Sequence, residues 1–292
     1  MSAHLVLIDA LNLIRRIYAV QERPFMVTKS SNGEQLSHST QKQVLFNTQN
    51  ACVTALKKII SEHNPTHGLA VFDSQQPCWR YKLYPDYKKG RKKMPEHLAH
   101  QMNNIQDAFM LEGIDSLTSE EDEADDLIAT LATKMALHGQ KVTIISTDKG
   151  FLSLLNPNIL IYDHFNRRSL DEAYVKNKFS VKSSQLIDLW TLTGDSTNKI
   201  PGVAGIGQVT AANLLNEYGS LNQLITSDSL KANIKNKLDD SNEQIALSRQ
   251  LLSMKQDIPL GFNLKDIRIN TAPSFIDLET RSSINQNISV AP

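Results

Sequence analysis

Short apolar runs alternate with longer segments of helical spacing in the first half of the chain. The runs "HLVLIDA", "HGLAVFD" and "KVTIIST" are nearly continuous in Val, Leu and Ile, which is typical of parallel strands buried on both faces. A fourth run, "NILIYDHF", is a candidate to join them. We therefore predict an α/β fold in which helices cover both faces of a parallel sheet.

The helical pattern continues where the strand pattern ends. Apolar residues recur at helical spacing over 98–109 and again over 127–135, as expected of helices with one buried face. After about residue 166, short helical segments separated by Gly and Pro take over. We predict an α/β core over 1–165 and a helical part over 166–265.

Two polar segments lack this periodicity. Residues 26–43 are rich in turn formers, which predicts a loop insertion with no chemistry of its own. Residues 266–292 are rich in Ser, Asn, Thr and Ile without a period, which predicts a loose tail.

Charge is balanced in total but unevenly distributed. Lys plus Arg and Asp plus Glu each number 31 in 292 residues, so net charge indicates no partner. Residues 79–93, "WRYKLYPDYKKGRKK", carry seven basic groups and one acid, whereas six of the seven residues from Glu120 to Asp126 are carboxylates. Like charges at this density repel one another on a helix, so a cationic partner is expected nearby.

The cysteines and hydropathy indicate the cellular setting. Cys52 and Cys78 are the only cysteines, their spacing is not that of a metal site, and no leader-peptide pattern is visible. No apolar run reaches the roughly 18 residues that span a bilayer. We expect a soluble protein of the reducing cytoplasm, without disulfides or membrane contact.

Acidic residues follow three of the predicted strands. Asp9, Asp73 and Asp148 stand at or just after the strand ends, the edge at which open parallel sheets place ligands. A single aspartate there is often a helix cap or turn former, and that alternative stays open for each. Next to the acidic run, Glu123 and Asp125 flank the apolar stripe of the following helix, whereas periodicity points Asp126 away.

A cluster of this kind implies a metal. Several carboxylates within a few ångströms cannot all ionise without a cation, and oxygen ligands without His or Cys favour magnesium or manganese over zinc. Such clusters serve displacement at phosphorus. In the basic segment, Arg80, Lys88 and Arg91 with Tyr84 and Tyr87 would hold phosphates and stack on bases, although a solvated basic loop remains the alternative.

The string "GDSTNKIPGVAGIGQVTAANLL" sets Gly-x-Gly at the start of a helix. Backbone amides at such a position bind phosphate oxygens. Gly-x-Gly alone is common at helix junctions, but the whole string is more specific.

Taken together, these motifs resemble those of the structure-specific 5' nucleases, which include the flap endonucleases, the stand-alone exonuclease IX type and the amino-terminal nuclease domain of bacterial DNA polymerase I. The matching pieces, in the family's order, are "LIDALNLIRR", "AVFD", "WRYKLYPDYKKGRKKMP", "EADDLIATLA", "STDKGFLSLL" and "GDSTNKIPGVAGIG". The resemblance implies a PIN-like core with a helix-three-turn-helix DNA-binding part. It also implies cleavage of 5'-flap DNA, by a monomer, with magnesium-activated water.

The resemblance assigns roles residue by residue. It implies that the first metal is held by Asp125, Asp9, Asp73 and Glu123 with Asp126 beside them, and that Asp148 and Asp195 belong to a second metal site. Arg80 and Lys88 would lie at the base of a helical arch, within about 79–95, and face the scissile phosphate. Potassium would be bound by main-chain oxygens of Leu192, Thr193, Pro201, Val203 and Ile206. DNA contacts would run along Gly205, Ile206, Gly207, Gln208, Val209 and Thr210.

The second site departs from the family pattern. Gly150 stands where the family has an aspartate, Asn198 replaces an acid, and Lys199 adds a positive charge. These changes predict a weak second magnesium site and favour an alternative function, a branched-DNA binder with weak or lost nuclease activity. The acids of the first site favour the nuclease. A PIN-type ribonuclease would share the acidic site, but it would lack the basic arch and the "IPGVAGIG" element.

Overall fold

A computed structural model describes residues 3–27, 36–74 and 76–269. At its centre is a six-stranded sheet with the order β3-β2-β1-β4-β5-β6. The strands are β1 (His4–Asp9), β2 (His67–Phe72), β3 (Asp115–Thr118), β4 (Lys141–Ile145), β5 (Ile159–Asp163) and β6 (Arg168–Ser169). Strands β1 to β5 pair in parallel, and β6 pairs antiparallel to β5. The four predicted strands and the α/β class are confirmed.

Helices surround the sheet and then form the rest of the described chain. In the first part these are α1 (Ala10–Val27), α2 (His38–His63), α3 (Trp79–Leu83), α4 (Glu96–Ala99), α5 (Met102–Leu111) and α6 (Ala124–Leu137). In the second part they are α7 (Glu172–Phe179), α8 (Leu186–Thr193), α9 (Gln208–Tyr218), α10 (Leu221–Ile225), α11 (Ala232–Asp240) and α12 (Asn242–Leu252). Short 3-10 helices cover Lys149–Leu154, Ser183–Gln185 and Leu264–Ile267.

The sheet separates two apolar clusters. Val6 and Ile8 of β1 face α1, α2 and α5, whereas Leu5 and Leu7 face α6. The second cluster does not end at α6, because it continues through α8 to α9 and α10 of the helical part. Alternating side chains of one central strand thus join both layers, and the helical part packs onto the sheet through a shared core.

Some sequence predictions need correction. The loop predicted over 26–43 is shorter, because α1 extends to Val27 and α2 begins at His38, where the Ser37 side chain caps it by accepting from the backbone N–H of Thr40; residues 28–35 lie outside the described residues. Residues 266–269, predicted as the start of a loose tail, are instead ordered against the core, since the backbone N–H of Ile269 donates to the Thr66 carbonyl at 3.1 Å. Residues 270–292 also lie outside the described part.

The helix predicted over 98–109 is divided in two. It is interrupted between Ala99, where α4 ends, and Met102, where α5 begins. Among the helices of the described ranges, none combines the length and the apolar character that crossing a bilayer requires.

Candidate metal and nucleic-acid site

The sheet brings the strand-end acids to one cleft. Asp9 is the last residue of β1, and Asp73 follows β2. Asp148 follows β4, where its side chain accepts from the backbone N–H of Gly150 at 2.7 Å. Because β1 lies between β2 and β4, their carboxyl ends adjoin. All three acids line a cleft of about 980 Å³.

The acidic run enters this cleft through the start of α6. The helix begins at Ala124, so Glu123 is its N-cap rather than a residue of its first turn, and Glu120–Asp122 precede the helix. Asp125 reaches the cleft, and within the described ranges its carboxylate accepts no hydrogen bond. Asp126 is fully buried and does not line the cleft.

Repulsion within the cleft is visible in the pKa values. Burial, together with the charges of Asp148 and Asp73, raises the pKa of Asp9 to about 7, although hydrogen bonds from Ser146 and Asn12 oppose the shift. Burial and the charges of Asp148, Asp9 and Asp73 raise the pKa of Asp125 well above its usual range. Neighbouring carboxylates therefore disfavour the ionised forms of Asp9 and Asp125, which a bound cation would reverse.

The carboxylate oxygens of the cleft are ligands suited to a hard divalent cation, although their present geometry does not form a metal site. As they stand, no group of three or more Asp, Glu, His or Cys side chains among the described residues is arranged to hold a metal ion. Asp9 accepts from the Ser146 hydroxyl at 2.7 Å, and Asp73 accepts from the backbone N–H of Ala124 at 2.8 Å. A carboxylate has about four lone-pair sites, so these bonds leave room for a metal.

Glu123 is turned toward the basic segment instead. Its carboxylate accepts from Arg80 at 2.8 Å, from the Tyr87 hydroxyl at 3.0 Å and from Lys88 Nζ at 2.5 Å. To reach a metal, Glu123 would have to give up part of this network. It therefore differs from Asp125, which has no such partners.

The structure corrects the expected position of Arg80. Its guanidinium donates to Glu123 and twice to Asp126, and also to the carbonyls of Leu251 and Ser253. These are five bonds for the five N–H donors that an arginine has, and the residue is 2% exposed. Arg80 thus holds the arch base to α6 and to the end of α12, and no donor remains for a scissile phosphate.

The same contact explains Asp126, which was expected beside the first metal. Burial would raise its pKa, but the hydrogen bonds and charge of Arg80 outweigh burial and lower it. Trp79 Nε1 also donates to this carboxylate, at 3.0 Å. The structure thus places Asp126 in a buried ion pair, apart from the other acids.

Lys88 does face the cleft. Its side chain is 13% exposed and forms an ion pair with Glu123. Burial would lower the pKa of this ammonium, but the charges of Glu123 and Asp125 outweigh it and raise the pKa. A charged Lys88 thus lines the cleft beside Glu123.

A basic rim completes the cleft, and sequence reasoning found only part of it. It is lined by Arg15, Arg16, Arg91, Lys92 and Lys93. Arg15 donates to the Lys92 carbonyl at 3.0 Å, which ties the arch segment to α1. Arg15 and Arg16 follow Asp9 within the first two turns of α1, so this signal was present in the sequence.

The second site is closed to a metal. Asp195 is 3% exposed, and its carboxylate accepts from Lys149 Nζ at 3.0 Å, from the Asn198 side-chain amide at 2.8 Å and from the Thr197 backbone N–H at 3.2 Å. Gly150 supplies no ligand. The residues expected to hold a second magnesium ion therefore do not fit one.

The predicted potassium residues surround a tightly packed loop. Leu192 and Thr193 end α8, and the Leu192 carbonyl accepts from the backbone N–H of Val203 at 2.8 Å. A Cβ at Gly202 would lie 2.2 Å from the Thr193 carbonyl carbon, so only glycine permits this approach. The Pro201 carbonyl accepts from the Ser248 hydroxyl at 2.8 Å, and Ile206 is buried.

The predicted DNA residues lie on the surface beside that loop. Gly205 has a φ of +73°, and Gly207 is the N-cap of α9 without a side-chain cap. The first backbone N–H groups of this helix thus remain available to an anion. Gln208 and Thr210 are exposed, as is Val209 at 75%, whereas Ile206 faces the core.

Comparisons with known proteins agree with this architecture. Residues 4–180 match the 5'-3' exonuclease N-terminal resolvase-like domain, and residues 181–274 match the 5'-3' exonuclease C-terminal SAM fold. The chain therefore belongs to the 5'-3' exonuclease family, among the flap endonucleases of the Xni type.

The Xni relatives match almost end to end. Flap endonuclease Xni of Colwellia psychrerythraea is 69% identical over 290 residues, which are 99% of this chain and 98% of the relative. Its counterpart in Vibrio parahaemolyticus is 46% identical over 276 residues, 94% of this chain and 99% of the relative.

Solved structures show the same fold. The phage T5 flap endonuclease in a pseudo-enzyme-product complex with DNA and metal ions has a TM-score of 0.64 at 23% identity, covering 85% of this chain and 88% of that one. The T5 5'-exonuclease with bound zinc ions also has a TM-score of 0.64 at 23% identity, with coverage of 85% and 89%.

Proposed function

We propose that this family member hydrolyses phosphodiester bonds of 5'-flap DNA as a magnesium-dependent nuclease. The observation that supports it most is the cleft that Asp9, Asp73, Asp125 and Asp148 line together, in which burial and neighbouring carboxylates raise the pKa values of Asp9 and Asp125 while Lys88 lies beside them. The Xni relatives are named flap endonucleases, and the T5 structures contain metal ions and DNA.

One metal ion is held mainly by Asp125, with Asp9, Asp73 and Asp148 around it. Their all-oxygen chemistry suits magnesium. When bound, the ion supplies positive charge to the attacking and leaving oxygens. Asp125 provides the carboxylate that is free of protein hydrogen bonds, and the bonds from Ser146 and Ala124 orient Asp9 and Asp73.

Lys88 and the basic rim position the substrate. Lys88 neutralises part of the acidic cluster and offers an ammonium to the scissile phosphate. Arg91 is exposed and lines the cleft, and within the described residues its guanidinium has no hydrogen-bonding partner. It therefore takes the phosphate-binding role that the sequence had assigned to Arg80.

The helices α8 and α9, with the loop 194–207 that joins them, form a helical hairpin. This hairpin binds the duplex side of the junction. The exposed N-terminus of α9 offers backbone N–H groups to a phosphate, and potassium completes the loop through carbonyls that include those of Thr193 and Ile206. The protein acts as a monomer in the cytoplasm, on DNA with a 5' flap or a 5' end at a junction.

A second candidate function is branched-DNA binding with little hydrolysis. It is favoured by the closed second site, in which Lys149 occupies the carboxylate of Asp195. The acids of the first site favour the nuclease instead, because DNA binding alone has no need of four mutually repelling carboxylates.

A labelled 5'-flap substrate distinguishes the two functions. We expect cleavage with Mg²⁺ and none after EDTA, with faster cleavage of the flap than of a matched nicked duplex or single strand. Retarded but uncut DNA in Mg²⁺ would select the binding protein. Cleavage that persists in EDTA would contradict the metal-dependent mechanism.

A further inference from the structure

The segment Asp195–Ile200 forms a closed turn at the second site. The backbone N–H of Asp195 donates to the Ile200 carbonyl at 2.8 Å, and the Ile200 N–H returns a bond to Asp195 at 3.0 Å. Within the turn, the Asn198 amide donates to Oδ2 of Asp195, while Lys149 Nζ donates to Oδ1 from the α/β core. An ammonium and an amide therefore satisfy the carboxylate that a metal would need.

The same turn also contacts the arch segment, which comprises residues 79–95. The backbone N–H of Lys88 donates to the Asn198 carbonyl at 2.9 Å. Lys88 has a φ of +54°, in the left-handed region that residues with a Cβ seldom adopt, so its backbone needs support from its surroundings. From this position the side chain reaches Glu123 at 2.5 Å.

Apolar packing supports the same contact. Ile200, at the end of the turn, is buried in a small cluster with Cys78, with Tyr87 of the arch segment and with Leu251 of α12. A continuous series of contacts thus runs from the core through the turn to the arch and back to the core, in the order Lys149, Asp195, Asn198, Lys88 and Glu123.

We propose that this turn braces Lys88, so that the remnant of the second metal site now positions the cleft lysine and binds no metal. Asn198 is the positioning residue, since its side chain fixes the turn to Asp195 while its carbonyl holds the Lys88 backbone. The inference rests on the proposed role of Lys88 in cleavage.

Asn198→Ala tests the brace, because it removes the amide but adds no charge. We expect kcat on a 5'-flap substrate to fall about tenfold, since small misplacement of a catalytic group is costly, while KM stays unchanged because the hairpin and rim bind the DNA. The affinity for Mn²⁺ without DNA, measured by electron paramagnetic resonance, should also be unchanged. Ser196→Ala, an exposed position in the same turn, is the matched control and should behave as the parent.

A double variant shows whether Asn198 acts through Lys88. Asn198→Ala in a Lys88→Ala background should cleave no more slowly than Lys88→Ala alone, because the brace has nothing left to position. Three outcomes would overturn the positioning role of Asn198 while leaving the role of Lys88 in cleavage intact. They are additive losses in the double variant, weaker Mn²⁺ binding by Asn198→Ala, and a kcat of Asn198→Ala equal to that of Ser196→Ala. Lys88→Ala that cleaves at the parent rate would overturn the role of Lys88 as well. If Asn198→Ala does not fold, Asn198→Ser, whose side chain ends short of Asp195, takes its place.

Discussion

Asp125 differs from its neighbours in the cleft because, within the described residues, its carboxylate accepts no hydrogen bond. Burial and three nearby carboxylates raise its pKa, so the ionised form depends on a bound cation. Asp125→Asn should lower Mg²⁺-dependent cleavage by on the order of 100-fold or more, since a metal contributes several kcal/mol to the transition state. In EDTA the variant should unfold at a higher temperature than the parent, because the buried aspartate must take up a proton on folding or stay ionised beside like charges, whereas asparagine does neither.

The exposed Asp107 of α5 provides the control for this change. Asp107→Asn should leave both the cleavage rate and the unfolding temperature in EDTA as they are. Parental cleavage by Asp125→Asn would mean that this carboxylate is not a ligand.

Two histidines that do not line the cleft give the protein a separate pH response. Among the described residues, His63 Nε2 and His164 Nδ1 are buried and have no hydrogen-bonding partner. Burial lowers the pKa of both imidazoles, and although Glu62 opposes the shift, Lys58 and Arg167 add to it at His164. Below about pH 6.5 these two imidazoles therefore bind more protons in the unfolded chain than in the folded one. Their contribution to stability is complete above that pH and is lost as the pH falls.

Chemical denaturation at pH 7.5 and pH 5.5 tests the direction in which the histidines change the unfolding free energy. On acidification the unfolding free energy of His164→Gln should fall less, or rise more, than that of the parent, because the raised pKa values of Asp9 and Asp125 act in the opposite direction in both proteins. His100→Gln, at an exposed site, should change by as much as the parent. An equal change in His164→Gln would mean that His164 does not contribute to the pH response.

Helix α3 carries the residue that fixes the arch base to the rest of the protein. Arg80 is enclosed by two carboxylates and by carbonyls at the end of α12. Arg80→Ala should lower the free energy of unfolding by about 3–5 kcal/mol, because it leaves buried charge unpaired. Lys82 of the same helix pairs with Glu121 at a site where the side chains are 65% and 81% exposed, so Lys82→Ala should cost about 0–1 kcal/mol. Urea denaturation of both variants decides the matter, and equal stabilities would contradict the structural role of Arg80.

The hairpin between α8 and α9 should respond to the type of monovalent cation. If backbone carbonyls around Gly202 bind potassium, duplex DNA should bind more tightly in KCl than in a bulky organic cation at equal ionic strength, since screening is then the same. Gly202→Ala places a Cβ 2.2 Å from the Thr193 backbone and should abolish the preference. Fluorescence anisotropy with duplex and single-stranded DNA measures it, and the absence of any cation preference in the parent would refute the monovalent site.

At the level of elements, the sequence was most informative where the pattern was local. The central strands were predictable because they are buried on both faces and hence continuously apolar. The edge strand β3, with the sequence "DSLT", contains one buried residue, Leu117, and gave no such signal. At the start of α6, a helical pattern cannot show that Glu123 adopts a cap conformation outside the first turn.

For the whole molecule, the predictable part of the site was the part that topology dictates. Asp9, Asp73 and Asp148 share a cleft because their strands are neighbours in a parallel sheet. The position of Arg80 was not predictable, because its carbonyl partner at Leu251 lies 171 residues away. Contacts at that separation depend on how the helical part packs on the core, which no local pattern encodes.

The closed second site joins the two parts of the molecule, and restoring its acids tests the closure itself. In Gly150→Asp, Asn198→Asp, Lys199→Asn, new carboxylates lie beside Asp148 and Asp195, and an amide donor is lost. Like charges at that distance disfavour one another, and the new side chain at 150 must displace the Met254 methyl, 2.8 Å from the added Cβ. The metal-free variant should therefore unfold at a lower temperature than the parent.

Divalent ions should reverse this loss, because a ligand that binds only the folded state stabilises it. We expect Mn²⁺ titration to give two bound ions per chain in the triple variant and one in the parent, with a larger rise in unfolding temperature for the variant. Thr197→Asp, which adds an acid at an exposed position of the same turn, should retain one ion and so separates added charge from a restored site. Binding of only one ion by the triple variant would show that the ion pair with Lys149 keeps Asp195 from binding a metal even when other acids are present.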